Sequence, residues 1–285
     1  MSTTSSVSIN TKGFGKTLRK DNWWLYPAVV VFGLTCFLVY GFWSAWLAEH
    51  YWFSAGEDGF GGYLAPFYSP LIFIKEGMAG AAPMEHSLFG AWPTWWPSWI
   101  PPSPSLLILA IPATFRFTCY YYRKAYYRAF TGTPPACAVG SLPRKGKSGY
   151  KGETGLMVVQ NLHRFAAYLA AIFILVFFYD AYLSFFRGGQ FGVGIGSILI
   201  LGNPLLLGAY TFGCHSLRHL IGGRRDCYSC GAGGKVANKN GKLASWLNQR
   251  HEMFAWLSLI WIMAADFYVK MVSMGYINDL NTWGI

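Results

Sequence analysis

Long runs of apolar residues, separated by polar and charged segments, dominate the pattern along the chain. A helix that crosses a bilayer needs about 20 mostly apolar residues. Five segments reach this length, and they predict an all-α integral membrane protein built as a five-helix transmembrane bundle. They are residues 23–48, 103–127, 155–186, 191–220 and 245–272. The second of them is interrupted by Pro112 and carries Arg116.

Charged residues divide unevenly between the segments that connect these helices. If the N-terminus is cytoplasmic, the inner side holds 20 of the 23 basic residues and only 4 of the 12 acidic ones. The net charge is then +16 inside and −5 outside. Because cytoplasmic loops are rich in Lys and Arg, we predict an N-terminus in the cytoplasm and a C-terminus outside.

This orientation predicts a simple domain organisation. Residues 1–22 form a cytoplasmic N-terminal segment, and residues 23–285 form the membrane anchor domain. That domain has an outer loop at 49–102 and inner loops at 128–154 and 221–244. The outer loop is rich in Trp and Pro, which is typical of a cap at the membrane interface.

The composition excludes several functional classes. The chain is 53% hydrophobic and 19% aromatic but only 12% charged, whereas soluble domains carry about 25% charged residues. The net charge of +11 would suggest nucleic acid in a soluble protein, but here it follows from the inner loops. We expect the lipid bilayer as a partner and no nucleic acid. No Gly-rich dinucleotide fingerprint is present, and we assign no catalytic residue.

Seven potential metal ligands fall at one depth, near the predicted cytoplasmic ends of the helices. They are Cys119, Cys137, Cys214, His163, His215, His219 and His251. Polar groups in membrane helices are costly, so such a cluster predicts a functional site. Thiolates together with imidazoles suit zinc or iron–sulfur chemistry. A cytoplasmic position keeps thiols reduced, so disulfides are not expected.

Three kinds of centre remain open on the residues alone. A Rieske-type 2Fe–2S cluster takes two Cys and two His ligands, and so uses both residue types. Haem b needs paired axial His and leaves the neighbouring Cys residues unexplained. The third is a structural zinc site in a non-redox membrane protein such as a transporter. Cys227 and Cys230 form a separate pair that is only half of a zinc ribbon.

Four strings in the chain are similar to those of one enzyme family. They are FRFTCYYYRKAYYRAFTGTPPACAV, YKGETGLMVVQNLHR, YTFGCHSLRHLIGG and LNQRHEMFAW. They resemble the membrane-anchor, cytochrome b-like subunit of succinate dehydrogenase, respiratory complex II. The class is the single-chain, five-helix actinobacterial type with a membrane-embedded Rieske-type cluster. The resemblance covers about residues 88–279; the family pattern has a Cys where this chain has Leu217, which supplies no ligand.

The resemblance implies a function in the plasma membrane of a bacterium. The chain would pass electrons from a cytoplasmic iron–sulfur subunit through the Rieske-type cluster to a quinone, either menaquinone or ubiquinone. FAD, the succinate site and further iron–sulfur clusters would lie on the flavoprotein and iron–sulfur subunits. Four of the seven candidates would be ligands, with Cys119 and Cys214 on one iron and His219 with another His on the other. A haem-b quinone oxidoreductase anchor is the alternative.

Arg116 is the main candidate for binding the quinone. It lies one turn from Cys119 on the same helical face. A guanidinium inside the membrane is costly unless it is paired or faces a polar cavity. A quinone oxygen would be a suitable partner, and the alternative is that Arg116 reaches to the inner interface. Tyr120 and Trp24 are weaker candidates for the same pocket.

Overall fold

The described part of the chain is mostly helical, with four very short strands. The computed structural model describes residues 13–54, 62–141, 156–222 and 227–284. The helices there are α1 (Leu25–Leu47), α2 (Pro104–Ile108), α3 (Ala110–Thr118), α4 (Tyr120–Thr131), α5 (Leu156–Ser184), α6 (Ile195–Phe212), α7 (His215–Gly222), α8 (Gly231–Gln249) and α9 (His251–Ser273). The strands are β1 (Trp52–Phe53), β2 (Tyr63–Leu64), β3 (Phe186–Arg187) and β4 (Gln190–Phe191), which form two antiparallel pairs, β1–β2 and β3–β4.

Four helices among the described residues are long and apolar enough to cross a membrane. They are α1, the Asn161–Ser184 part of α5, α6 and α9. The second predicted span, 103–127, is instead divided into α2, α3 and α4. Leu109, between α2 and α3, keeps helical backbone angles, whereas Cys119, between α3 and α4, is extended. The helical membrane fold is confirmed, whereas the count of five spans is not. The predicted orientation of the termini stays a prediction.

Residues 1–36 and 117–160 form the first of two compact units. Its described N-terminal segment pairs with the segment after α4: Thr17 Oγ1 donates to the Ala138 carbonyl over 2.8 Å, and Gly140 N donates to the Lys16 carbonyl over 2.9 Å. The hydroxyls of Tyr26 and Tyr121 lie 3.1 Å apart. These contacts fix α4 to the beginning of α1 within this unit.

Close packing of α6 on α9 organises the second unit, residues 37–116 and 161–285. Trp261 on α9 lies directly over Gly202 on α6, and its Nε1 donates to the Leu199 carbonyl over 2.8 Å. A Cβ atom at Gly202 would lie 2.1 Å from Trp261 Nε1. Gly202 is therefore required for the two helices to approach this closely.

We expect Gly202→Ala to lower the free energy of unfolding by about 1–3 kcal/mol, because the added methyl group overpacks the α6–α9 contact. The measurement is the thermal unfolding midpoint of the purified protein in detergent. Gly208→Ala on the same helix is the matched control, since its Cβ would meet Phe212 at an ordinary 3.6 Å. Equal midpoints for the two variants would contradict this account of the packing.

Residues 62–102 fold over one end of the second unit, which we call the loop end. Tyr63, Phe67 and Tyr68 are buried there against Ala181, Ile200 and Val269 of α5, α6 and α9. Burial raises the pKa of Tyr68, and its protonated hydroxyl donates to the Ser44 carbonyl. Trp95 and Trp99 stay exposed, as expected for an interfacial cap.

The opposite end, with His163 and His251, we call the histidine end.

Candidate functional site

A cysteine and a histidine contact each other at the histidine end of the second unit. His163 on α5 and Cys214, in the turn between α6 and α7, are 6% and 4% exposed. Their Nε2 and Sγ atoms lie 2.9 Å apart. The turn is held by Asn248, whose Nδ2 donates to the Gly213 carbonyl over 2.8 Å. This pairing of a soft thiol with an imidazole is the donor combination that iron–sulfur and zinc sites use.

Two aromatic rings connect His163 to a second histidine, His251 at the start of α9. Phe115 stacks on His163 with ring centroids 4.8 Å apart, and its edge meets Tyr210 at 5.4 Å. Tyr210 in turn stacks on His251 at 4.8 Å. Phe115 and Tyr210 are almost completely buried. The space between the two imidazoles is therefore filled by packed rings.

Arg116 lies next to this ring stack. Its Nη2 donates to Ser258 Oγ over 3.0 Å and its Nη1 to the Ala255 carbonyl over 3.3 Å, both on α9. Its guanidinium carbon lies 4.9 Å from the centre of the Tyr210 ring. Neutral acceptors and a ring face hold the cation here, so its positive charge is not cancelled by a carboxylate in any of these three contacts.

Arg116 also lines an apolar cavity of about 310 Å³ within the second unit. Side chains of α1, α2, α3, α5, α6 and α9 form its walls, and residues 66, 67 and 69 close its loop end. Arg116 and Ser69 are the polar side chains among the described lining residues. Leu38 and Phe42 on the α1 wall are mostly exposed. The cavity therefore offers an apolar space with one cationic group and an exposed apolar side.

Of the other predicted ligands, Cys119, Cys137 and His215 have described side chains. Cys119, which is buried, and Cys137, which is exposed, belong to the first unit. His215 is exposed and lines a separate surface pocket with Arg218 and Lys242, and the side chain of His219 lies outside the described residues. Within the described ranges no three His, Cys, Asp or Glu side chains form a group fit for a metal ion.

Cys227 and Cys230 are joined by a disulfide bond. The expectation that the thiols on this side stay reduced is therefore wrong for this pair. The two residues lie only three positions apart, so local backbone geometry at the start of α8 brings them together. The pair supplies no free thiolate to a metal site in this form.

The two weaker quinone candidates lie in the first unit and are largely exposed, Trp24 by 54% and Tyr120 by 67%. Their role stays a prediction. Phe115, Tyr210 and Ser258 could not be recognised from the sequence, because an aromatic or hydroxyl residue in an apolar helix has no distinctive pattern. Their importance follows from their contacts with His163, His251 and Arg116.

Comparison with known proteins assigns the chain to a family. The family model described as actinobacterial succinate dehydrogenase subunit SdhC matches residues 25–275. The chain belongs to this family. A solved structure of the Mycobacterium smegmatis Sdh1 complex in the apo form contains a similar chain, with 38% identity, a TM-score of 0.77 and 92% of each chain covered. No curated protein matches the chain.

Family membership settles the class of the protein. The chain is a membrane-anchor subunit of succinate dehydrogenase, an oxidoreductase, and a multi-pass protein of the bacterial plasma membrane. The expected partnership with the other subunits of that enzyme is confirmed. The alternative of a non-redox membrane protein with a structural zinc site is wrong.

Proposed function

We propose that this subunit passes electrons from the iron–sulfur subunit of succinate dehydrogenase, through a Rieske-type 2Fe–2S cluster of its own, to a membrane quinone. The observation that carries the proposal is the buried contact between His163 and Cys214. A thiol and an imidazole that are both removed from water, in a subunit of a redox enzyme, have the chemistry of mixed Cys and His ligation.

The donor types fit such a cluster, although its complete ligand set is a proposal. Cys214 and His163 would be one ligand of each type. His251 is the second imidazole nearby, Cys119 and His219 are the remaining preferred candidates, and Cys137 and His215 complete the pool. When bound, the cluster supplies one-electron transfer at a potential that His ligation raises above that of an all-Cys centre. The chain itself orients the ligands and keeps water out with Phe115 and Tyr210.

A haem held between His163 and His251 is disfavoured by the same contacts. A haem between His163 and His251 needs a flat open slot between the two imidazoles. Phe115 and Tyr210 occupy the path between them through continuous ring contacts. Both rings would have to move for a porphyrin to enter. The packed rings therefore argue against a haem at this pair of histidines.

The quinone, in this proposal, occupies the apolar cavity beside Arg116. Ligand pockets commonly have volumes of about 300–1,000 Å³ and few polar groups, and this cavity has about 310 Å³ and two. Leu38 and Phe42 leave its α1 side exposed, which suits a substrate that enters from lipid. Arg116 would donate to a quinone oxygen as negative charge develops there.

The test is the iron content and the electron paramagnetic resonance spectrum of the purified complex. His163→Ala should lose the signal of a cluster with mixed Cys and His ligands, together with its iron, while the complex keeps its FAD. His86→Ala at the loop end is the matched control and should keep both. A His163→Ala complex with unchanged iron and an unchanged spectrum would refute this ligand assignment.

A further inference from the structure

The loop end of the cavity is formed by a short turn that two carboxylates hold in place. The turn comprises the 3-10 helix Pro66–Tyr68 and the following Ser69. Phe67 N donates to Asp266 Oδ1 over 3.2 Å, and Ser69 Oγ donates to Asp180 Oδ2. Asp266 belongs to α9 and Asp180 to α5. Ionisable residues within membrane helices are expensive and mark functional sites.

The two carboxylates differ in how many donors they accept. Asp266 is completely buried and accepts from Tyr40, Ser44 and the Phe67 amide, so its bonding capacity is used to anchor the turn. Asp180 accepts from Ser69 alone among the described residues and forms no described ion pair. Lys270, one turn from Asp266, donates to the Glu49 carbonyl and lies over Tyr68 instead. A change in the protonation of Asp180 therefore disturbs fewer contacts than the same change at Asp266.

Ser69 connects Asp180 to the cavity, because its side chain both lines the cavity and bonds to the carboxylate. The cavity therefore has two polar points, the Arg116 guanidinium and the Ser69 hydroxyl. A para-quinone likewise has two carbonyl oxygens on opposite sides of its ring. Two polar points suit a ligand with two acceptors, whereas a lipid acyl chain would need neither polar group.

We propose that Asp180, acting through the Ser69 hydroxyl, delivers a proton from the loop end to the quinone; this rests on the proposed function. The quinone gains two electrons, which come from succinate through the other subunits, and two protons. The Asp180 carboxyl releases one proton, which Ser69 passes to the nearer quinone oxygen. Asp180 then takes a proton from water at the loop end. The oxygen next to Arg116 receives its proton from water at the histidine end, and the product is the quinol.

The experiment uses the whole complex in vesicles that enclose a pH dye, with quinone in the bilayer and valinomycin with potassium to remove the membrane potential. Succinate added outside drives only those complexes whose succinate site faces outward. By the predicted orientation, their loop end faces the lumen. Quinol formation should then make the lumen more alkaline, by one proton for each quinol formed.

Asp180→Asn should remove the lumenal signal and slow quinone reduction by about 100-fold, the usual contribution of a positioned proton donor. Asp180→Glu should restore both, which a purely structural role would not require. Asp266→Asn is the matched control: it should lower stability, but the assembled complex should keep its lumenal signal per quinol. Should Asp180→Asn fail to assemble, Ser69→Ala interrupts the same route by removing one hydroxyl.

The outcomes separate this proposal from the function on which it rests. A wild-type complex that forms quinol with no change in lumenal pH overturns the proton route alone, as does an Asp180→Asn complex with unchanged signal and turnover. Quinone reduction that survives the loss of both Cys214 and His163 overturns the proposed electron path, whatever the lumenal signal shows.

Discussion

Replacing Cys214 with alanine should abolish succinate–quinone reductase activity while succinate oxidation by an artificial acceptor continues. The thiol is buried and lies 2.9 Å from His163 Nε2, so no solvent ligand can easily replace it. Loss of a group that merely supports a metal ligand costs up to about 100-fold in metal affinity or activity. Loss of the ligand itself should exceed that. The acceptor assay takes its electrons from the partner subunits and therefore reports whether they remain intact.

Cys36→Ala is the matched control for this experiment. Cys36 is an exposed cysteine on α1, in the first unit, so its removal should leave both activities unchanged. If Cys214 served only packing, its replacement by alanine would have little effect on activity, because a lone buried thiol behaves as a small apolar residue. Full quinone reductase activity in Cys214→Ala would therefore show that the thiol serves packing only.

The helical membrane fold could be predicted from the sequence because its signal is local. Each span in α1, α5, α6 and α9 is a mostly apolar run of at least 18 residues, and the bilayer fixes the length that such a run must have. The second predicted span does not form one long helix, because the backbone leaves the helical conformation at Cys119. The extended backbone at Cys119, with ψ at 132°, could not be predicted from the hydropathy of the surrounding residues.

The candidate site could be predicted only in part, because residues at the same depth in a membrane do not necessarily contact each other. Cys214 and His163 lie at a similar predicted depth, and the structure brings them together. His215 lies at that depth too, but it points to an exposed pocket because its helix, α7, presents the residue to the surface. Which side of a helix faces a partner depends on tertiary packing, such as the Asn248 contact that orients the turn before α7.

Asp180 shows what the sequence signal missed. A carboxylate within an apolar run is a recognisable mark of function. The sequence prediction nevertheless placed the functional site among the candidate metal ligands, at the histidine end. Its partner, Ser69, comes from a loop that is 111 residues away in the chain. No local pattern connects two such residues. The pairing follows from the burial of the aromatic cluster around Tyr63 and Tyr68, which brings the loop onto α5, α6 and α9.

Arg116→Leu should lower the rate of quinone reduction by about 100-fold, with little change in succinate oxidation by the artificial acceptor. The reason is electrostatic: removing one positioned donor to a developing negative charge costs about 100- to 1,000-fold in rate. Arg116 lines the cavity and is held by Ser258, Ala255 and the Tyr210 ring. Leucine retains much of the apolar bulk of the arginine but none of its charge, so the substitution only partly disturbs the packing along α9.

Two further variants separate the charge of Arg116 from its structural contacts. Ser258→Ala removes one hydrogen-bond acceptor of the guanidinium but leaves the charge, so its effect on turnover should be much smaller. Arg116→Lys keeps the positive charge and should recover part of the activity that leucine loses. If Ser258→Ala lowered the rate of quinone reduction as much as Arg116→Leu, the role of Arg116 would be structural, namely to connect α3 to α9. The quinone oxygen would then have to be bound elsewhere in the subunit.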